Sequence, residues 1–439
     1  MVSPPPSLRQ AEPTTLADGF AEIERTAESA IDDLAQMVAI DTTFPPGTGY
    51  VAFARLMERS VAGLGLECQR VDVPEHLWRI AGGPAHCIRT NLMARRRSGR
   101  PVLGLYFHVD TVPATPGWAT DPFRLTRDGD RLIGLGAADM KGTIAAALLA
   151  LRAADTIGLP LGYDPMLLFC TDEEGGLYPG VRHLAEHGLL EGHILNFNGS
   201  AAPRIWAGCF GLFTLLVRVH GRTLHASEAR RAGSSANAIE AALPILNVLA
   251  TLKPKIAMRT SALPAPPHAT SPLAAQLDIS AAHGGQCGGQ VPSLFEILVC
   301  RRYAPEEDFQ TARAEIENAI AEAAPGAEVE VVLTGHLMPT SDAAGPHWPR
   351  WQEALSAGFG YAPEDFAKWG ATSCSDFGWV QKTGMQEVLL TGLGRPESRL
   401  HAPGEFTTLT DIVALAKSVL AYLSAKFRPD LSPETASAR

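Results

Sequence analysis

An α/β fold with a second unit set into it is what this chain predicts, on three observations. Short apolar runs end in polar turns and pass into helices more than once, the pattern of a layered α/β sheet. That pattern stops near Phe210, gives way to longer half-exposed strands, and resumes at about residue 336. The chain has 439 residues, more than one compact core holds. The expected divisions are residues 1–209 and 336–439 as two parts of one domain, with an α+β insertion at 210–335.

The elements follow in order. Leu, Ile, Ala and Val at helical spacing run from about Leu16 to Ile40, and Pro45-Pro46-Gly47 breaks the chain soon after. Val51 to Leu64 reads as an amphipathic helix closed by Gly65. Pro101 to Phe107 is an apolar run of buried-strand length that ends at His108. Ala145 to Ala153, rich in Ala and Leu, is a helix behind the Gly142 turn. Pro165 to Cys170 is a second buried strand, leading to Asp172. Ligands of such sheets gather at the carboxyl ends of strands, where His108 and Asp172 to Glu174 fall.

Past Phe210, Leu212 to His220 alternates imperfectly, as a half-exposed strand does, and Asn237 to Leu252 is an amphipathic helix. Pro254 to Pro272 is rich in Pro, Ala, Ser and Thr and reads as an exposed loop. Gly284 to Gln290 is a glycine-rich turn, and no Gly-Lys-Ser/Thr follows to make it a phosphate cradle. A strand at Leu294 to Cys300, a helix at Pro305 to Ala323 and a strand at Glu328 to Leu333 complete the insertion. Helices at Pro349 to Phe359 and Asp411 to Phe427, with a strand at Met385 to Thr391 leading towards His401, resume the first pattern.

Composition removes several function classes. With 46% hydrophobic and 19% charged residues the chain reads as a soluble globular protein. A net charge of −10 without a long basic run opposes nucleic acid as a partner. Apolar stretches such as Ile144 to Leu151 are too short to cross a bilayer. Met1 to Ser7 lacks a basic start followed by an apolar stretch, so it reads as a short disordered lead-in rather than a signal peptide. The seven cysteines are scattered and form no Cys-x-x-Cys pair, which fits a reducing cytoplasm.

Five short motifs carry the chemistry: His108-Val109-Asp110, Asp139-Met140-Lys141-Gly142, Asp172-Glu173-Glu174-Gly175, His225-Ala226-Ser227 and Leu400-His401-Ala402-Pro403. Each alone has a bland reading: a surface His-Asp pair, a helix N-cap, a solvated acidic turn. Together, His, Asp and Glu suit a zinc-type hydrolytic site. A carboxylate beside a metal-bound imidazole fixes its tautomer, a role open to Asp110. Asp139 has two oxygens and can bridge two cations. Three adjacent acids repel unless cations or protons compensate, so one of them can bind metal while a neighbour serves as general base. His401 lies in a Gly- and Pro-rich loop that can bring in a distant ligand.

In these motifs the chain resembles the co-catalytic zinc hydrolases that include acetylornithine deacetylase, succinyl-diaminopimelate desuccinylase, aminoacylase and carboxypeptidase G. The resemblance runs from Val38 to Gly47 through to Ala402-Pro403-Gly404-Glu405, with Trp118, Asp121-Pro122-Phe123 and Ser235 to Ile239 as further landmarks. It implies a zinc-exopeptidase-like three-layer catalytic domain whose insertion is a dimerisation or lid domain, hence a homodimer. It implies Asp139 as bridging ligand, Glu173 as general base, Glu174 and His401 at one metal, and His108 at the other with Asp110 behind it. His225 would reach a partner subunit's site and stabilise the oxyanion. Asn237 and Arg302 match positions that hold a substrate carboxylate.

One position departs from the pattern. In Gly192 to Ser200 a carboxylate or His ligand is expected, and Asn198 aligns with it. A neutral amide oxygen binds Zn or Mn more weakly than a carboxylate. The expected cofactor is therefore Zn, Mn or Co, one or two per subunit, with the His108/Asn198 site weak. The expected activity is hydrolysis of an amide-type C–N bond in a small carboxylate-bearing substrate, by water that the metal activates and Glu173 deprotonates. Two alternatives stand beside it: single-metal hydrolysis of an aromatic amine on the same scaffold, and a binding homologue with impaired catalysis. Cys170 and Cys374 read as core residues, and Thr372 to Asp376 resembles a family loop near the active site.

Overall fold

The computed structural model describes residues 14–228, 233 and 236–424; the lead-in at Met1 to Ser7, Ser235 and the helix end expected at 425–427 lie outside the described residues. The first helical stretch divides into α1 (Leu16–Thr26) and α2 (Glu28–Val38). Thr15 and Asp18 exchange side-chain and backbone hydrogen bonds at the start of α1, a capping box that the Thr-x-x-Asp spacing provides. Helix α3 (Tyr50–Ser60) follows the Pro45-Pro46-Gly47 break.

A six-stranded mixed sheet organises the larger unit. Its strands are β1 (Glu67–Asp72), β2 (Thr90–Arg95), β3 (Val102–His108), β4 (Asp164–Cys170), β5 (His193–Asn196) and a short strand at Leu389–Leu390. The spatial order is β1-β2-β4-β3-β5-Leu389–Leu390. From β4 to Leu389–Leu390 neighbours are parallel, while β1 and β2 run antiparallel at one edge. Every residue of β4 and all but the first of β3 are buried, so both faces of the sheet centre are covered, as parallel strands require. Helix α4 (Gly142–Thr156) is buried over most of its surface and packs in the same core as the carboxy-terminal helix. The register pairs His108 with Cys170. The chain therefore leaves β3 and β4 side by side, at the carboxyl ends of the two central strands.

The second unit has its own core. After β6 (Arg204–Cys209), strand β7 (Gly211–His220) alternates buried and half-buried residues along its whole length. It pairs antiparallel with β9 (Leu294–Tyr303) and β10 (Glu328–Leu337), and β8 (Gln276–Gly284) adds to β9, giving the order β8-β9-β7-β10. Helices α5 (Ala238–Ala257) and α6 (Phe309–Ala323) cover one face. Ile245, Leu249, Ile316 and Ile320 pack there with Phe213, Leu215, Ile297 and Val299. Helices α7 (Trp348–Phe359) and α8 (Leu409–Ser424) then return the chain to the first core.

Two local expectations change. The loop expected from Pro254 starts later, because α5 continues to Ala257. Pro254 sits in its last turn, and Ile256, fully buried in the second core, holds that turn against the missing N–H. The strand expected over Met385 to Thr391 shrinks to Leu389–Leu390. The short strands β1, β2, β5 and β6, and the exposed strand β8, carry too weak an alternation to read in advance.

Candidate metal centre

His108 ends β3 and is buried. Its Nδ1 lies 3.0 Å from the Asp110 carbonyl oxygen and 3.8 Å from the Asp110 carboxylate. The main chain of Asp110 is thus the nearer partner of the imidazole. The Asp110 carboxylate instead accepts the Glu174 N–H at 2.9 Å, tying the ends of β3 and β4 together. Nε2 of His108 faces the other way, 3.0 Å from Asp139 Oδ1.

Asp139 stands in the turn before α4, at φ −122° and ψ 88°, away from helical geometry. Glu405 fixes that turn: its two carboxylate oxygens accept the N–H groups of Gly136, Ala138 and Asp139, each at 3.0 Å. Gly136 enters the turn at φ +74°, and a Cβ there would lie 2.6 Å from Thr111 Cγ2, so glycine is required on both counts. Asp139 Oδ2 is 3.3 Å from His401 Nε2, so its two oxygens face two different histidines.

The three adjacent acids divide their tasks. Asp172 adopts φ +62°, which reverses the chain after β4. Its carboxylate turns away from the motif centre to Arg89 Nε and Tyr50 Oη, both at 2.8 Å. Arg89 is fully buried and lies 4.1 Å over the Trp78 ring. All three line the cavity, and with Asp172 so held Glu173 and Glu174 are left for its chemistry. Glu174 Oε1 is 3.1 Å from His401 Nε2. Ligand atoms of His108, Asp139 and Glu174 all lie within 4.8 Å of one another, close enough for a metal ion. Two imidazoles and several carboxylates form a donor set that suits zinc or manganese.

Asn198 lies just beyond β5, and its Nδ2 donates to Glu173 Oε1 at 2.8 Å. No hydrogen bond among the described residues reaches Glu173 Oε2. His193, at the other end of β5, bonds the Tyr422 hydroxyl and stacks on His347, away from this cluster. Arg302 lines the same cavity. His225 and Asn237 do not. His225 is exposed, with Nδ1 2.8 Å from Ser227 Oγ. Asn237 caps α5, accepting the Ile239 N–H at 3.1 Å and reaching Glu240.

The electrostatics are those of a cation site. Burial works against charge on His108, yet the Asp139 bond and charge outweigh it and hold its pKa well above the ordinary value. His401 is raised likewise, to about 11, by Glu174 and Asp139 against the cost of burial. Burial would raise Asp139, but its bonds to the two histidines hold it well below the usual carboxylate range. Glu173 is pushed up, chiefly by burial, with the charges of Asp376, Glu174 and Asp139 adding to the effect against the pull of His108. The carboxylates that raise the two imidazoles would attract a cation in the same way.

Some residues around the site had no sequence signal. Asp376, fully buried, accepts the Tyr106 hydroxyl at 2.6 Å, and burial raises it to about 7. Its segment resembles a family loop, but its partner is 270 positions away. Glu405 marked only the end of a motif, and Arg89 and Arg204 are lone arginines in sequence. The cavity, of about 770 Å³, has a largely apolar wall that includes Phe44, Trp78, Trp206, Leu212 and Leu298. That volume suits a small molecule.

The chain is similar to known proteins in sequence and in fold. The profile of peptidase family M20/M25/M40 matches residues 104–425. Succinyl-diaminopimelate desuccinylase of Acidiphilium cryptum is 30% identical over 285 residues, 63% of this chain and 71% of that protein. Acetylornithine deacetylase of Salmonella arizonae is 28% identical over 233 residues, 53% of this chain and 58% of that protein. Among solved structures, the Saccharomyces cerevisiae di-peptidase Dug1p superposes with a TM-score of 0.79 at 16% identity, covering 93% of this chain and 98% of its own. Human carnosine dipeptidase 1 does so with a TM-score of 0.77 at 18% identity, covering 93% and 99%. The YXEP protein of Bacillus subtilis, described as a dinuclear metal-binding peptidase, has a TM-score of 0.55 at 16% identity over 91% of this chain and 98% of its own.

Proposed function

Because the chain belongs to peptidase family M20/M25/M40, we propose that it is a hydrolase that cleaves the amide bond of a small acylated amino acid or dipeptide bearing a carboxylate. The observation that carries this reading is the pair of contacts at Asp139, whose two oxygens face His108 and His401 beside a free oxygen of Glu173. The names of the relatives, a desuccinylase and a deacetylase, favour amide hydrolysis over a ring-deaminating or catalytically silent reading.

The residues that would hold metal are Asp139, Glu174 and His401 on one side and His108, Asp139 and Asn198 on the other. A bound Zn or Mn ion supplies Lewis acidity towards water and the amide carbonyl. Glu173 supplies the proton transfers. Asn198 occupies its Oε1, which leaves Oε2 to take a proton from the attacking water and return it to the leaving nitrogen. Asp110 and Glu405 act by position: one anchors Glu174 and the other anchors Asp139. Arg302, in the cavity wall, is placed to hold a substrate carboxylate. His225, supplied by the partner subunit of a homodimer built through residues 210–335, would donate to the developing oxyanion, and Asn237 would assist at the carboxylate. We assign the enzyme to the cytoplasm, on the scattered free cysteines.

A panel of N-acyl amino acids and dipeptides, assayed with added Zn or Mn, tests the reading. Glu173→Gln keeps the shape of the site and removes the base. It should lower kcat by about 10²–10⁴-fold while metal content stays at the wild-type level. Turnover by the variant at the wild-type rate would remove Glu173 from the mechanism.

A further inference from the structure

Three arginines line the cavity: Arg204, Arg302 and Arg395. Arg395 is neutralised by a two-point ion pair with Asp411, both contacts at 2.7 Å. Arg204 has no such partner. It opens β6, six residues after Asn198, and no carboxylate forms an ion pair with it among the described residues. Its Nε donates to the Trp369 carbonyl at 3.1 Å, while Nη2 is buried with no hydrogen-bond partner.

Its plane is fixed all the same. The guanidinium lies 4.2 Å over the Trp206 ring and 5.3 Å from the Trp369 ring. Those tryptophans face each other in the parallel pairing of β6 with Ala367–Ala371. Burial lowers the Arg204 pKa to about 10, so the protein pays to place an uncompensated cation in this wall. A buried donor without a partner costs stability unless something else satisfies it. A guanidinium held in one plane, half-buried in the cavity wall and without a carboxylate partner is a preformed carboxylate receptor.

We propose that Arg204 is an anion subsite that holds a second substrate carboxylate, beyond the one assigned to Arg302. The inference deepens the proposed function and rests on it: the preferred substrate is a dianionic amide. The second carboxylate can belong to the acyl group or to the amino-acid side chain. Arg204 acts on binding and specificity and takes no part in proton transfer.

Two matched pairs distinguish the sources: N-succinyl-leucine against N-acetyl-leucine, and N-acetyl-glutamate against N-acetyl-glutamine. The wild type should favour the dianionic member of at least one pair by about ten- to a hundredfold in kcat/KM, the worth of a charge-assisted hydrogen-bonded pair. In Arg204→Met that ratio should collapse towards one, with the loss in KM rather than kcat. In Arg204→Lys it should fall less. A merely structural role would lower both members of a pair together and leave the ratio unchanged, which would overturn the proposal, as would a wild type indifferent within both pairs. Calorimetric titration with glutarate reads the subsite without turnover. Glutarate binding should weaken at least tenfold in Arg204→Met and by about threefold in Arg204→Lys, a variant that retains charge and stem if Arg204→Met fails to fold. If the wild type hydrolyses none of the four amides, the catalytic reading fails by itself, and the glutarate titrations alone decide Arg204. Equal glutarate affinity in wild type and Arg204→Lys then rejects the subsite.

Discussion

An amide at position 198 would alter the charge of the proposed metal centre while keeping nearly the shape of a carboxylate. Its nitrogen is engaged with Glu173, and a neutral oxygen is a poor ligand for a hard cation. The His108 side of the centre should therefore lose its ion first. Wild-type protein dialysed against metal-free buffer should retain one metal per subunit by elemental analysis, and Asn198→Asp should retain two. Two ions in both would mean that another group supplies the missing charge. Protons compete at the same atoms. His108 and His401 have raised pKa values when no metal is bound, so both carry protons near neutrality, where a free imidazole at 6.5 is mostly neutral. Metal needs the unprotonated ring, so each ion that binds must expel protons and affinity must rise with pH from below 6.5 towards about 11. Calorimetry in buffers of different ionisation enthalpy at neutral pH should register net proton release; uptake, or no exchange, would contradict the assignment of these ligands.

At the level of elements, the site is a consequence of how β3 and β4 end. Their apolar runs were legible because both faces are buried, and so were the places where His108 and the acidic turn emerge. The fixtures that aim these groups were not legible. Asp172 reads as one of three equivalent acids until its partners Arg89 and Tyr50 are seen, 83 and 122 positions away. Glu405 reaches back 266 positions to Asp139. Long-range pairs of this kind leave no periodicity in a single sequence. Nor do strands such as β5, only four residues long, or β8, whose outer half is exposed. The Arg89–Asp172 pair is almost wholly shielded from water, with side chains 0% and 2% exposed. Removing one member strands the other charge. Arg89→Met should destabilise the protein by about 3–5 kcal/mol, read as a lower urea midpoint, and should loosen the turn that carries Glu173. A variant as stable as wild type would mean that Asp172 is neutralised in some other way.

At the scale of the whole molecule, the two cores divide the chain between one unit that carries the proposed metal centre and another that carries His225 and Asn237. Within one chain, neither of these two residues lines the cavity, and His225 is exposed with only Ser227 for company. If His225 belongs to the mechanism, it must act across an interface, and the pairing must be a closed two-fold one in which each subunit lends its histidine to the other. Complementation follows from that geometry. His225→Ala and Glu173→Gln should each be nearly inactive alone. Mixed and allowed to exchange subunits, they form heterodimers in which one site collects both lesions and the other collects neither. Equal mixing should recover roughly a quarter of wild-type activity, because half of the dimers are mixed and each has one intact site of two. If His225 served its own chain's cavity, both sites of the heterodimer would carry one lesion, and mixing would recover nothing. Different affinity tags on the two variants, captured in succession, confirm that heterodimers have formed, so that a failure to recover activity rejects the shared site itself.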